Sequence, residues 1–304
     1  MIHVFGNAAV DTVIKVDRLP RPGETVVARG AADDLGGKGA NQAVVLARCG
    51  QRVRLVAALG ADAVGERIRE NLAAEGVETD GLRTWPGASD RCVICVDHHG
   101  ENTIVSLIDA ALEFDPLAMT DFDRWIVPSD WVLLQGNLRA NVTRGCLALA
   151  KSRKAMTALN PSPTYAASDY DWSLVDLVVL NRGEALELGG RDDPVEAARV
   201  LLGAGAGSVV VTFGAAGAAL VLASETLRAQ APHVVAVNTV GAGDVFCGTL
   251  VAGRAEGLAW VDALRAASQA AAICVARVGV LSSFPTREEM AKILPRRPLA
   301  GRVT

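Results

Sequence analysis

Apolar positions along the chain fall into short, β-branched runs separated by longer stretches with helical spacing. Residues 2–5, 53–59, 131–134, 157–159, 177–180 and 208–212 are apolar at nearly every position. Such runs predict strands buried on both faces of a sheet, as parallel strands are. Residues 65–75, 245–254 and 260–276 read as helices, the last two rich in Ala, Leu and Val. From Trp125 onward strand and helix alternate through short loops. This pattern predicts a single α/β domain over residues 1–304, a doubly wound, mostly parallel sheet in three layers with helices on both faces.

Two regions break the alternation. Residues 13–16 and 24–29 are short strand candidates around Pro20-Arg21-Pro22-Gly23, where a parallel sheet would need a crossover helix. Residues 91–96 and 103–107 flank Asp97-His98-His99-Gly100-Glu101-Asn102. Together they predict a small antiparallel lid drawn from about 12–34 and 91–107, with both histidines on a solvated turn. Residues 200–224 carry no charge and are long enough to cross a bilayer, but their glycines and the run Ser208-Val209-Val210-Val211-Thr212 predict two buried strands joined by a glycine turn.

Composition narrows the function. The chain has 304 residues, 50% hydrophobic, with 30 basic and 34 acidic residues for a net charge of −4. No basic block is present, which argues against a nucleic-acid surface. The six cysteines lack the paired spacing of a disulfide scaffold. Cys92 and Cys95 form C-x-x-C on a predicted strand, which sends them to opposite faces. Asn7 and Asp11 interrupt the apolar start and no basic segment precedes it, unlike a signal peptide. A reduced, cytoplasmic protein that does not engage membrane is the expectation.

The chemistry concentrates in Asn238-Thr239-Val240-Gly241-Ala242-Gly243-Asp244. Val234-Val235-Ala236-Val237 before it suits a strand, and a helix follows. Gly241, Ala242 and Gly243 therefore sit at a helix N-terminus, whose unpaired N–H groups bind anions such as phosphate. Asp244 beside that hole is placed to take a proton from an attacking hydroxyl, or simply to cap the helix.

A second glycine-rich turn, Leu35-Gly36-Gly37-Lys38-Gly39-Ala40-Asn41-Gln42-Ala43-Val44, opens another helix. It is not a P-loop, because Asp33 stands where its first glycine belongs and Gly39 follows the lysine. Lys38 and Asn41 offer donors to hydroxyl oxygens. Asn137, Asn181, Glu184 and Thr212 lie at the carboxyl ends of predicted strands, where doubly wound sheets bind ligands. Asn181-x-x-Glu184 suits either a cation-and-phosphate site or a helix carrying Glu in its first turn.

Both glycine turns resemble signatures of the ribokinase or PfkB-type carbohydrate kinases, and the resemblance runs from about Phe5 to Pro285. It implies a ribokinase-like fold and an ATP-dependent kinase that uses Mg²⁺ to phosphorylate a primary hydroxyl of a small sugar. It implies Asp244 as catalytic base with Gly241, Ala242 and Gly243 as the anion hole. Asp11, Gly37, Lys38, Asn41 and Asn137 would bind the acceptor, and Asn181, Thr212, Gly214 and Gly217 the nucleotide. Glu184 would hold Mg²⁺ through water, and the lid would pair two subunits into a homodimer. Three positions depart from the family. Asn137 replaces a glutamate that contacts sugar hydroxyls, Ala9 replaces an asparagine, and Asn238 replaces an aspartate that helps bind a monovalent cation. Plain ribose is therefore not the expected substrate, and monovalent-cation activation is expected to be weak. A nucleoside kinase of the same fold, or a sugar-binding or regulatory protein without catalysis, are the alternatives; aromatic residues for base stacking make up only 4% of the chain.

Overall fold

The computed structural model describes residues 1–98, 102–119 and 122–294. In chain order the strands and helices are β1 (Ile2–Phe5), β2 (Ala9–Val16), β3 (Ala28–Gly36), α1 (Lys38–Arg48), β4 (Val53–Gly60), α2 (Ala63–Ala74), β5 (Leu82–Trp85), β6 (Asp90–Val96) and β7 (Asn102–Leu107). There follow α3 (Asp109–Glu113), α4 (Phe122–Trp125), β8 (Trp131–Gln135), α5 (Ala140–Ser152), β9 (Met156–Asn160), β10 (Leu177–Asn181), α6 (Arg182–Gly189) and α7 (Pro194–Gly203). The chain ends with β11 (Val209–Thr212), β12 (Ala218–Val221), β13 (Thr226–Ala229), α8 (Ala242–Ala255), α9 (Trp260–Val275) and α10 (Arg287–Ile293).

One sheet of nine strands runs in the order β13-β12-β11-β10-β9-β8-β1-β4-β5. It is parallel from β11 to β5, and β12 and β13 add antiparallel at the edge. Alternate side chains of each strand enter different cores. Ile2, Val4, Leu133 and Val179 pack with α1, α8 and α9 on one face. Phe5, Val132, Leu134, Val178 and Leu180 pack with α5, α6 and α7 on the other. Both faces are thus covered, which is why the strand runs are apolar at nearly every position.

The uncharged stretch 200–224 resolves into the last turn of α7, then β11 and β12 joined by a one-turn 3₁₀ helix at Gly214–Ala216. Its first residues are helical rather than part of a strand. No helix among the described residues is long and apolar enough to cross a membrane.

The lid is a separate four-stranded sheet, β3-β2-β6-β7. It differs from the antiparallel flap expected from sequence, because its two central strands, β2 and β6, pair in parallel. The reason lies in the main sheet. β1 and β5 run the same way there, and β2 and β6 leave from the same ends, so only the returning strands β3 and β7 run antiparallel. The strand expected at 24–29 begins at Ala28 instead, and Glu24–Val27 are irregular. His98 lies on the turn before β7, whereas His99 is outside the described residues.

A second correction concerns Val234–Val237. These residues form no strand; Val235 is 81% and Val237 56% exposed. β-branched residues favour a strand only where a neighbour accepts their hydrogen bonds. Here the main sheet has ended at β13, and the Val237 and Asn238 N–H groups both turn to the Val275 carbonyl.

Candidate active site

Two glycine turns meet at one end of the main sheet and open α1 and α8. Gly37, before α1, has φ of 87°, and a Cβ there would lie 2.9 Å from the Ala8 Cα. Gly241, before α8, has φ of 79°, and its Cβ would meet the Phe284 ring at 2.5 Å. Only glycine fits either position. No side chain caps α8; the Ala242 N–H reaches back to the Thr239 carbonyl at 3.3 Å. Gly243 faces open space, with nothing within 4 Å of where its Cβ would be. The helix end is therefore free to receive an anion.

Asp244 stands in the first turn of α8 and is buried. Asn41 Nδ2 donates to its Oδ2 at 3.0 Å, and Gln42 Nε2 donates to its Oδ1 at 3.0 Å. Behind it the network continues. Gln42 Nε2 also donates to Asn160 Oδ1 at 3.0 Å, Gln135 Nε2 donates to Gln42 Oε1 at 2.7 Å, and Asn160 Nδ2 donates to the Val179 carbonyl at 2.9 Å. Four elements, α1, α8 and the ends of β8 and β9, thereby fix one carboxylate. Sequence reasoning placed Asn41 among the acceptor's contacts and passed over Gln42, Gln135 and Asn160. Gln42 stands in the glycine motif itself, but nothing in a single sequence distinguishes a buried glutamine from a surface one.

Asp11 on β2 is buried as well, lodged against Gly36, where a Cβ would come within 2.1 Å of Asp11 Oδ1. Burial raises its pKa to about 6; the Cys92 thiol opposes this, and the nearby charges of Asp244 and Asp34 add to it. Asp11 Oδ1, Asn41 Oδ1 and Asn137 Oδ1 are buried acceptors without a partner among the described residues.

A cavity of about 820 Å³ opens beside Asp244. Gly241, Gly243 and Thr239 line it, together with Asn181, Arg182 and Gly183 at the start of α6, and Thr212, Gly214 and Ala216 after β11. The structure thus brings Asn181, Thr212 and Gly214 to the anion hole. Lys38 lines the same cavity, so it stands where the two glycine turns meet. Gly217 does not face the cavity; its φ of 88° closes the turn into β12 against the Ala229 carbonyl. Arg182 and Arg228 add two guanidiniums to the cavity wall that the sequence reading did not single out.

Asn181 and Glu184 form a capping box. Asn181 Oδ1 accepts the Glu184 N–H at 2.9 Å, and Glu184 Oε2 accepts the Asn181 N–H at 2.8 Å. One Glu184 oxygen remains beyond that bond. No group of three or more His, Cys, Asp or Glu suited to a metal exists among the described residues. A Mg²⁺ ion bound mainly through water and nucleotide phosphates, with one protein carboxylate nearby, is compatible with this arrangement.

Asn238 has both ends of its amide engaged. Nδ2 donates to the Gly279 carbonyl at 2.8 Å, and Oδ1 accepts the Val240 N–H at 3.0 Å.

Residues 1–287 match the model of the pfkB family carbohydrate kinases. The chain belongs to that family. The kinase is 31% identical to a ribokinase of Haemophilus influenzae over 299 residues, covering 96% of this chain and 98% of the relative. It is 29% identical to a deoxyribokinase of Salmonella typhi over 305 residues, with 96% and 98% covered. Among solved structures, a Thermotoga maritima ribokinase superposes with a TM-score of 0.88 at 30% identity, covering 97% of this chain and 99% of that one. An Arabidopsis thaliana ribokinase complexed with ribose and ATP superposes at 0.86 and 28% identity, with 96% and 98% covered. The large parallel sheet with its smaller lid sheet is the ribokinase-like fold. The kinase is a phosphotransferase with an alcohol group as acceptor, from an ATP-binding family.

Proposed function

We propose that this kinase transfers the γ-phosphoryl group of ATP to a primary hydroxyl of a small sugar other than plain ribose. The observation that carries the reading is the pair of buried acceptors Asp11 Oδ1 and Asn41 Oδ1, without a partner among the described residues, beside a carboxylate at an open helix N-terminus. Buried acceptors without donors are costly unless a ligand supplies hydrogens, and a polyol supplies them from several directions.

Asp244 is the base. A carboxylate has about four acceptor positions; Asn41 and Gln42 use two, one on each oxygen, and hold the group in a single orientation. A free position accepts the hydroxyl proton as the oxygen attacks. The N–H groups of Gly241 and Gly243 at the start of α8 face the transferring phosphoryl, where developing charge is stabilised without reorganisation. Gly37 lets the backbone approach the acceptor, Lys38 bridges acceptor and phosphoryl, and Asn181, Thr212 and Gly214 line the nucleotide. Mg²⁺, held by the phosphates and through water by Glu184, would neutralise phosphate charge. Closure of the lid over the acceptor excludes water as a competing nucleophile.

Two subunits would pair through the lid. β7 is an edge strand whose Val105 and Leu107 are 64% and 59% exposed, an apolar edge that a second copy would cover.

A phosphorylation screen over pentoses, hexoses, polyols and nucleosides tests the reading, run beside Asp244→Asn. The expected result is acceptor-dependent ATP turnover on a sugar, reduced about 10²–10⁴-fold in the variant, the usual contribution of a general base. Preference for a nucleoside, or near-normal kcat in Asp244→Asn, would overturn it.

A further inference from the structure

A relay of hydrogen bonds ties the lid strand β3 to the anion-binding turn. Asp34, two residues before the end of β3, directs its carboxylate at the turn that follows α9. Its Oδ2 accepts the Val280 and Leu281 N–H groups, each at 3.0 Å, and its Oδ1 accepts the Leu35 N–H at 2.9 Å. The Val280 N–H belongs to the same peptide group as the Gly279 carbonyl. That carbonyl accepts Asn238 Nδ2 at 2.8 Å, and Asn238 Oδ1 in turn accepts the Val240 N–H at 3.0 Å. Gly241 follows directly.

The middle link is one peptide group gripped from both sides. In a trans peptide, as this one is, the N–H and C=O point in opposite directions. Asp34 therefore fixes the hydrogen end and Asn238 the oxygen end. A carboxylate on the N–H makes the carbonyl a stronger acceptor, because hydrogen bonds in a chain polarise one another. The same turn meets the anion hole a second time through Phe284, whose ring lies 2.5 Å from where a Cβ of Gly241 would stand. Arg48, at the end of α1, holds the turn's Leu281, Phe284 and Pro285 carbonyls at 3.2–3.3 Å.

Resting on the sugar-kinase reading above, we propose that Asp34 is a positioning residue for the anion hole, acting through the 279–280 peptide and Asn238 on the first turn of α8. Asp34 is the register partner of Asp11 on β2. The strand pair that carries Asp11 thus also sets the N–H groups that face the phosphoryl. A shift of β3 draws in turn on the 279–280 peptide, on Asn238 and on Val240. Gly241 to Gly243 then hold their geometry only while β3 is seated. Preorganised donors stabilise developing charge because they need not move during reaction, and this relay is what keeps them still.

The test uses the full chain as wild type, Asp34→Ala, Asn238→Ala, the double variant of both, and Asp33→Ala. Asp33, the neighbouring residue on β3, bonds to Thr12 and Arg67 instead and serves as the control. Steady-state kinetics are measured on ATP and the best acceptor from the screen, well above the pKa of Asp11 so that its charge is the same in every form. Amide exchange of the segment 239–245 is followed without ligands by mass spectrometry; there the Ala242 and Val245 N–H groups bond to the Thr239 and Gly241 carbonyls. Each single variant of the relay should lower kcat about tenfold, less than the roughly 10²–10³-fold for outright loss of an anion-hole donor. The acceptor KM should change little. The double variant should fall no further than the worse single one, because residues in one network are not additive. Exchange in 239–245 should quicken several-fold in both single variants, while Asp33→Ala behaves as wild type. Losses that multiply in the double variant, an effect confined to the acceptor KM, or faster exchange at 279–281 without any at 239–245 would overturn the proposal. Wild type that phosphorylates nothing in the screen would instead overturn the kinase reading. In that event the exchange measurement, which needs no ligand, still decides the relay: for it if 239–245 responds to Asp34→Ala, and against it if not.

Discussion

Gln42 Nε2 donates a hydrogen bond of 3.0 Å to Asp244 Oδ1 across 202 residues of sequence, joining the second turn of α1 to the first turn of α8. The two helices pack against each other, and Gly248 on α8 permits that approach: a Cβ there would meet Val45 at 2.8 Å. The carboxylate's orientation is therefore set by helix packing.

Gln42→Leu removes the donor to Asp244, the donor to Asn160 and the acceptor for Gln135 in one step. Each buried group left unpaired costs about 1–3 kcal/mol, so the melting temperature should fall by several degrees. A purely structural role predicts no more than that. If Gln42 orients the base, kcat should fall well beyond what the stability loss explains, with little change in the ATP KM. A kcat close to wild type below the melting transition would assign Gln42 to packing alone.

Acceptor binding should weaken in mild acid. Burial raises the pKa of Asp11 to about 6, and in the proposed acceptor site the ionised form would be the one that accepts sugar hydrogens. Below that value the acceptor KM should rise toward tenfold per pH unit, with the nucleotide KM nearly flat. The stability effect has the opposite sense. A carboxyl with a raised folded-state pKa favours folding most below its unfolded value of 3.8, and that contribution is lost as pH climbs through 6. Asp90, also raised to about 6 by burial, acts in the same direction. Asp11→Asn should therefore abolish the acid rise in acceptor KM without lowering the melting temperature at pH 7.

Gly36→Ala tests the seat of Asp11. The new methyl would lie 2.1 Å from Asp11 Oδ1, so the carboxylate must move. Overpacking of this kind costs about 1–3 kcal/mol, and the acceptor KM should rise at least tenfold. Adding Asp11→Ala should recover most of the lost stability, because the clash then has no partner. Additive losses in the double variant would show that Gly36 is needed for another reason.

Asn137→Glu should move preference toward ribose. The buried Asn137 Oδ1 offers one acceptor, whereas a glutamate offers two oxygens and a charge. The ratio of kcat/KM for ribose to that for the preferred sugar should increase in the variant. Ribose used by wild type as efficiently as the best sugar, and unchanged by the substitution, would remove Asn137 from the specificity site.

Potassium should activate weakly. Asn238 has already committed its amide oxygen to the Val240 N–H and its nitrogen to the Gly279 carbonyl. Asn238 brings no charge to a cation beside this loop, and the Asp34 carboxylate that reaches the loop is already engaged by the Val280 and Leu281 N–H groups. Turnover measured with and without potassium, against a choline control, should change by less than about twofold, since neutral ligands hold a cation weakly. A several-fold rise would point to a carboxylate elsewhere.

The amino-acid sequence by itself determined the layered α/β class, because strands apolar on both faces have no stable home except between two helical layers. It also determined the two glycine turns, because φ near +80° at Gly37 and Gly241 is open to almost no other residue. Tertiary structure decided what those turns hold. Asp244 could have been a helix cap; contact with Asn41 and Gln42 from a distant helix makes it a buried, oriented carboxylate. Val234–Val237 has strand composition and is no strand, because no neighbour remains to pair with it beyond β13. The lid was legible as strands, but its parallel centre was not, since that follows from the directions of β1 and β5 in another sheet. Local pattern specifies which residues face a core; only the assembled chain specifies which of them face one another.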